Sequence, residues 1–267
     1  MVINPLRRRR EDRPDRPRRG VYLLPSMMTV TNLLCGYASI VYSTRGDFDT
    51  AAILIGVAMV VDALDGFFAR LTHSQSAFGA ELDSLADVVS FGVAPAILAF
   101  TWGLWSLGRL GWAAGFIYVA ATAMRLARFN IQSSTAYDKR YFAGLPSPAA
   151  AAVTASTVYL LPWGIQDYRA AVLALPMLLV PGFLMVSTIR FRSIKAIDVD
   201  RRRPYRLILL GVIALALIVL HPRIALVVMS YSYVVAAIGM YLFARLRRRP
   251  ATALPPTPPP PPPPVTL

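Results

Sequence analysis

The chain has 267 residues, of which 56% are hydrophobic and only 16% are charged, and its mean hydropathy is +0.51. These values exclude an ordinary soluble domain. The net charge of +14 does not require a nucleic acid, because the cytoplasmic loops of membrane proteins are rich in Lys and Arg and attract anionic lipid headgroups. We therefore expect membrane lipid as a partner and no nucleic acid.

Apolar runs long enough to cross a hydrocarbon core of about 30 Å recur along the chain. They predict an all-α fold, a polytopic integral membrane bundle of about eight transmembrane helices. The predicted spans are 22–43, 50–71, 80–107, 110–131, 147–165, 169–189, 205–221 and 223–244. Pro162 and Pro176 interrupt the fifth and sixth spans, but membrane helices tolerate proline where neighbours satisfy the freed carbonyl.

Two tails of different composition flank the predicted transmembrane catalytic domain at 21–249. Residues 1–20 are basic and contain proline, and residues 250–267 end in a polyproline run. Such compositions favour disorder or polyproline II over a packed core. We expect both tails to be disordered and non-catalytic.

The distribution of basic residues predicts the orientation of the helices. With eight crossings and a cytoplasmic N-terminus, only four of the 28 Lys and Arg residues fall on the outer side: Arg45, Arg109, Arg169 and Arg223. This satisfies the positive-inside rule and predicts that both termini are cytoplasmic. No cleavable signal or organelle-targeting pattern is evident, which favours a prokaryotic plasma (inner) membrane.

Four aspartates lie within or beside the second and third predicted spans: Asp62, Asp65, Asp83 and Asp87. An acid in the hydrocarbon layer costs several kcal/mol and usually marks a functional site. Residues three or four apart share a helix face, and the polar turn at 72–76 is consistent with an antiparallel helix pair. The pair would gather the four carboxylates near the cytoplasmic surface, where they suit Mg²⁺, Mn²⁺ or Ca²⁺ and can hold two ions.

Small residues and one cation accompany these acids. Gly66 and Gly79 lack a Cβ atom, so a phosphate can approach the backbone closely, and Arg70 lies one turn beyond Gly66, where it can neutralise a diphosphate. An alternative is that Gly66, Ala69 and Gly79 only permit tight helix packing. That alternative leaves the four acids unexplained.

The same residues form a longer pattern, D-x2-D-G-x2-A-R-x8-G-x3-D-x3-D, running without a gap from Asp62 to Asp87. It resembles the motif of the CDP-alcohol phosphatidyltransferase family. The resemblance implies a six-helix core, a CDP-linked lipid, two divalent ions such as Mg²⁺ or Mn²⁺, and a homodimer. It also implies that Asp62, Asp65 and Asp83 bind metal and that Asp87 both binds metal and acts as general base. The residues that would contact the cytidine diphosphate are Gly66, Ala69, Arg70 and Gly79.

Further stretches resemble the phosphatidylserine synthase branch of this family. They are residues 78–95, 125–130, 142–148 and 186–195. Residues 24–32 resemble the start of the family's first helix, where Thr29 and Asn32 can face the cytidine, although Ser26 stands where the family often has asparagine. The resemblance covers about residues 22 to 200, and the last two helices rest on topology alone.

The branch implies that the chain transfers the phosphatidyl group from CDP-diacylglycerol to the hydroxyl of L-serine and releases CMP. The carboxylate of serine needs a cation or a hydrogen-bond donor at the same membrane face. The candidate serine-binding residues are Arg125, Arg128, Lys139 and Asn130, with Arg128 and Asn130 preferred because they lie near the site end of the fourth helix. These cations can equally serve as topology signals or headgroup contacts.

Other functions make different predictions. Another acceptor alcohol of the same family, such as glycerol phosphate or inositol phosphate, would preserve the aspartates and change only the acceptor contacts. A cation transporter would spread its carboxylates across the depth of the bilayer, whereas these four are gathered toward one end. A structural scaffold would leave the aspartates unexplained.

Overall fold

Helices make up most of what the computed structural model describes, namely residues 23–72, 77–134, 141–187, 190–192, 212, 216, 217 and 219–247. The helices are α1 (Leu23–Thr44), α2 (Phe48–Thr72), α3 (Ala77–Asp87), α4 (Ala94–Trp102), α5 (Arg109–Ser134), α6 (Ser147–Leu160), α7 (Tyr168–Val186) and α8 (Pro222–Arg247). Two three-residue strands, β1 (Tyr141–Ala143) and β2 (Arg190–Arg192), pair antiparallel. The prediction of an all-α polytopic membrane fold is confirmed, and this small β-ribbon is the addition that hydropathy did not predict.

Four stretches in the described part of the chain are long and apolar enough to cross a membrane: Phe48–Phe68, Phe78–Trp102, Arg109–Ile131 and Tyr168–Val186. They match the second, third, fourth and sixth predicted spans. The fifth span is a shorter helix, α6, of 14 residues, and the eighth contains the apolar stretch Pro222–Ala236. Most of the seventh span, as well as both tails, lies outside the described residues.

The first two helices form an antiparallel hairpin that brings their site-bearing ends together. They are joined by a short turn in which Gly46 has φ +79, a left-handed conformation that glycine adopts without steric cost. Asp47 caps α2, because its Oδ1 accepts a hydrogen bond from the backbone N–H of Thr50 at 3.1 Å. The Ser39 hydroxyl donates to the carbonyl of Ala51 at 2.8 Å, which ties the two helices together inside the bundle.

The stretch Phe78–Trp102 is the central span, since 56% of its most apolar 18 residues are buried inside the bundle, against 28–33% for the other three spans. It combines α3, a π-helical turn over Val88–Val93 and α4. Short π-helical turns inside α-helices are frequent at functional sites. This one follows Asp87 directly, and its Ser90 hydroxyl donates to the carbonyl of Asn32 in α1 at 2.9 Å. The turn therefore fixes the central span against α1 just beyond the aspartates.

The opposite end of the bundle is closed by contacts between loops and helix ends. The indole N–H of Trp102 donates to the carbonyl of Leu161 at 2.7 Å, and the Ile165 N–H donates to the carbonyl of Trp102 at 2.8 Å. Arg223 at the start of α8 pairs with Asp49 at the start of α2, with 3.1 Å between Nη2 and Oδ2. These contacts lie at the end of α2 opposite to Asp62 and Asp65.

Close packing of α1 on the π-helical turn predicts a large effect of Gly36→Ala. An added Cβ would collide with Ser90, whose Cα lies only 2.7 Å from the ideal Cβ position. Overpacking of a core typically costs about 1–3 kcal/mol, so we expect a lower Tm in detergent. Gly56→Ala in α2 is the matched control, because a Cβ there meets nothing within 4 Å. Equal Tm values for both variants would contradict this packing.

Candidate metal and active site

Three carboxylates meet where α2 and α3 come together. Each of Asp62, Asp83 and Asp87 offers an oxygen, and these three oxygens lie within 4.8 Å of one another. Asp62 lies near the C-terminal end of α2, Asp83 and Asp87 lie one turn apart on α3, and Asp87 is buried. The structure therefore brings together three of the four predicted ligands, one from α2 and two from α3.

Such a cluster is unstable without positive charge. Two unit charges 4.8 Å apart repel by about 3.5 kcal/mol at an effective dielectric constant of about 20, and three carboxylates make three such pairs. The donors are all oxygen, which is the chemistry that Mg²⁺, Mn²⁺ and Ca²⁺ prefer. The cluster fits a divalent cation.

The fourth aspartate, Asp65, lies beside the cluster and contacts α1. Its Oδ2 accepts a hydrogen bond from the Thr29 hydroxyl at 2.7 Å. Its Oδ1 is buried and has no hydrogen-bond partner within the described part of the chain. A buried carboxylate oxygen left unpaired costs free energy, which a cation at this position would offset. Asp65 therefore also suits the role of a metal ligand.

Asn32 links α1 to the predicted base. Its Nδ2 donates to Oδ1 of Asp87 at 3.3 Å, and its own Oδ1 is buried without a partner among the described residues. The sequence suggested that Thr29 and Asn32 face a cytidine. In the structure both donate hydrogen bonds to aspartates of the site, and a contact with cytidine remains a prediction.

Helix α5 supplies a cation that interacts with the acidic cluster. Arg125 is half-buried and lies close enough to Asp62 and Asp87 to interact electrostatically with both. Its Nη1 donates to the hydroxyl of Ser147 at 2.6 Å. The hydroxyl of Tyr233 in α8 also interacts electrostatically with this guanidinium. Arg125 thus lies between the acidic cluster, the start of α6 and α8.

The other residues predicted to bind the substrate serine lie in different surroundings. Arg128 is exposed one turn further along α5. Asn130 is half-buried, and its Nδ2 donates to the hydroxyl of Ser84 in α3 at 2.9 Å. Ser84 follows Asp83 directly, so Asn130 lies beside the cluster. Lys139 lies outside the described residues.

The predicted diphosphate contacts lie on the same two helices as the aspartates. Gly66 is exposed on α2, and Gly79 is half-buried in the first turn of α3. Ala69 and Arg70 belong to the last turns of α2, but the placement of their side chains lies outside what the structure describes. The roles predicted for these four residues stay predictions.

Three serines near the site were not predicted from the sequence: Ser84, Ser90 and Ser147. Each donates or accepts a hydrogen bond across helices, with Asn130, Asn32 and Arg125 respectively. All three fall inside the stretches that resemble the phosphatidylserine synthase branch. A serine carries no hydrophobic or charge pattern of its own, so nothing in the sequence distinguishes these three from other serines.

A helical membrane bundle with an oxygen-donor cluster at one end defines an integral membrane protein with a candidate divalent-metal centre. The chain belongs to the CDP-alcohol phosphatidyltransferase family, whose sequence model matches residues 22–182, and members of this family use divalent metals. The match contains all four aspartates, helices α1 to α6 and most of α7.

The chain is also similar to individual curated proteins of known name. A CDP-diacylglycerol–serine O-phosphatidyltransferase of Helicobacter pylori is 36% identical over 228 residues, which are 85% of this chain and 94% of the relative. A protein of the same name from Mycobacterium bovis is 33% identical over 82% of this chain and 78% of the relative. An archaetidylserine synthase of Methanothermobacter thermautotrophicus is 35% identical over 63% of this chain and 69% of the relative.

Proposed function

We propose that this protein is a phosphatidylserine synthase, which transfers the phosphatidyl group of CDP-diacylglycerol to the hydroxyl of L-serine and releases CMP. The observation that carries the proposal is the cluster of Asp62, Asp83 and Asp87 in a chain whose relatives are named for serine as the acceptor. The archaeal relative is also named for a serine product. The bacterial and archaeal relatives are thus named for different lipids, but both names include serine.

The proposed chemistry is an in-line displacement at phosphorus. Asp87 takes the proton from the serine hydroxyl as that oxygen attacks the phosphatidyl phosphorus. The new bond joins the serine oxygen to phosphorus, and the bond from phosphorus to the CMP oxygen breaks, so that CMP leaves as an anion. Asn32 holds one oxygen of Asp87, which orients the carboxylate for the proton transfer.

The metal-binding part of the proposal assigns two divalent ions, Mg²⁺ or Mn²⁺, to Asp62, Asp65, Asp83 and Asp87. When bound, such ions neutralise the charge of the diphosphate and stabilise the leaving phosphate. Gly66, Ala69, Arg70 and Gly79 are proposed to contact the cytidine diphosphate. The backbone at the glycines allows close approach of the phosphates.

The proposed orientation places the site and both termini in the cytoplasm of a prokaryotic cell. Support comes from the four basic residues predicted outside. Arg45, Arg109, Arg169 and Arg223 lie in the α1–α2 turn or at the starts of α5, α7 and α8, which are the ends far from the aspartates. We also propose a homodimer, as the family resemblance implies, and cross-linking in intact membranes tests it.

Acceptor specificity is the test of the proposed function. Purified full-length protein is supplied with radiolabelled CDP-diacylglycerol and one acceptor at a time: L-serine, glycerol phosphate or inositol phosphate. We expect labelled phosphatidylserine and CMP with serine only. Product formed with glycerol phosphate or inositol phosphate and none with serine would overturn the choice of acceptor while preserving the family chemistry.

Arg128→Ala tests the acceptor contacts. Because Arg128 is exposed at the site end of α5, we expect its removal to raise the KM for serine about ten-fold and to change the KM for the lipid little. Arg109→Ala, an exposed arginine at the other end of the same helix, is the matched control and should leave both constants unchanged. Equal rises in both KM values for Arg128→Ala would instead indicate a diphosphate or structural role.

A further inference from the structure

Arg125, beside the aspartate cluster, is hydrogen-bonded to Ser147 at the start of α6. Ser147 has no role in the mechanism proposed above. Arg125 Nη1 lies 2.6 Å from Ser147 Oγ, and Ser147 is fully buried. A hydrogen bond with a charged donor is stronger than one between neutral groups. The serine therefore restrains the guanidinium strongly, at a place closed to water.

Arg125 is held near the carboxylates without being neutralised by direct contact. It interacts electrostatically with Asp62 and Asp87, but among the described side chains neither carboxylate comes within the 4.0 Å of an ion pair. A guanidinium has five N–H donors in a fixed planar fork, and one of its nitrogens, Nη1, donates to Ser147. The remaining donors are suited to a planar or tetrahedral anion.

The backbone before α6 fixes the position of Ser147. Gly144 has φ +89, and a Cβ there would collide with the carbonyl oxygen of Met185. The Leu145 N–H donates to the carbonyl of Leu184 at 3.1 Å, and the Leu145 side chain is fully buried. Prolines at 146 and 148 restrict the chain on both sides of the serine. The Ser147 hydroxyl is thus placed by a rigid turn packed on the end of α7.

We propose that Ser147 is a positioning residue that holds the Arg125 guanidinium for an anionic group of a substrate, a carboxylate or a phosphate, beside the aspartate cluster. This inference rests on the proposed function and deepens it. The serine carboxylate and the diphosphate of the lipid share the required chemistry. Kinetic constants measured separately for the two substrates distinguish them.

The test is steady-state kinetics of full-length Ser147→Ala in detergent. We expect the KM for one substrate to rise about ten-fold, with kcat per folded protein little changed. A rise for serine assigns Arg125 to the carboxylate, and a rise for CDP-diacylglycerol assigns it to the phosphate. Ser147→Thr, which keeps the hydroxyl, should bring the KM back close to its wild-type value. A merely structural serine would lower the folded fraction and leave both KM values unchanged.

Two further variants complete the test. Arg125→Lys keeps the charge but loses the fork, so it should raise the KM for the same substrate as Ser147→Ala. Ser147→Cys keeps nearly the same volume with a weaker acceptor and provides the measurement should the alanine variant not fold. Ser156→Ala is the matched control, a buried serine on α6 that hydrogen-bonds Ser230 of α8, and it should leave both KM values unchanged.

The outcomes separate the two proposals. Wild-type CMP release with serine is measured first, and its absence overturns the proposed function. Normal wild-type turnover combined with unchanged KM values in both Ser147→Ala and Ser147→Cys overturns the positioning role alone. Equal rises for both substrates in these variants also overturn it, as does an Arg125→Lys effect on the other substrate.

Discussion

Asp87→Asn is expected to lower CMP release by about a thousand-fold while the protein remains folded in the membrane. General base catalysis contributes about 10²–10⁴-fold to a rate, and the amide of asparagine cannot take up the proton of the serine hydroxyl. The change is nearly isosteric, and Asn32 can still donate to the remaining side-chain oxygen, as it does to Oδ1 of Asp87. The measurement is CMP release by purified protein, together with its Tm in detergent.

The control for this substitution makes the same chemical change far from the site. Asp167 caps α7, with its Oδ2 accepting from the Ala170 N–H at 3.2 Å. Asparagine is about as good a helix cap as aspartate, so Asp167→Asn should retain both activity and stability. Near-normal turnover of Asp87→Asn would show that another group accepts the proton. Loss of folding in Asp87→Asn alone would indicate that the carboxylate is needed for structure.

The aspartate cluster could be predicted because it depends on local geometry. Residues three or four apart on a helix share a face, so the spacing predicts that Asp83 and Asp87 lie together on α3. The short polar segment after α2 predicts that Asp62 lies near them. The partners of these aspartates could not be predicted in this way. Thr29 contacts Asp65 across 36 positions and Asn32 contacts Asp87 across 55, and such contacts arise from tertiary packing.

The helical architecture was predicted more accurately than its interruptions. Hydropathy reports how apolar a segment is, not which carbonyl each N–H bonds. The third span, expected at 80–107, contains the π-helical turn at Val88–Val93 and ends as an α-helix at Trp102, before a 3₁₀ turn at Leu104–Leu107. The fifth span is shorter than predicted, because α6 ends at Leu160, before Pro162. The π-helical turn matters for function, since it supplies the Ser90 contact that anchors α1 at the site.

Substitution of the clustered carboxylates is expected to weaken metal binding, which can be measured in the absence of substrate. We predict that metal-stripped protein binds two Mn²⁺ ions per chain, as counted from the loss of the free-ion signal in electron paramagnetic resonance. Asp62→Asn and Asp83→Asn should each weaken binding of at least one ion by ten-fold or more, because each removes a charged ligand from a site in which the three oxygens lie within 4.8 Å. Stripping should also abolish CMP release, and Mg²⁺ or Mn²⁺ should restore it.

Asp49→Asn separates this effect from a general loss of negative charge in the membrane domain. Asp49 lies on α2, like Asp62, but pairs with Arg223 at the opposite end, so its substitution should leave Mn²⁺ stoichiometry and affinity unchanged. Full turnover of rigorously stripped protein would mean that the four acids persist in the membrane without metal, which their mutual repulsion argues against. Binding of a single ion, retained in Asp65→Asn, would restrict the metal site to Asp62, Asp83 and Asp87. The unpaired oxygen of Asp65 would then need another partner, such as the substrate itself.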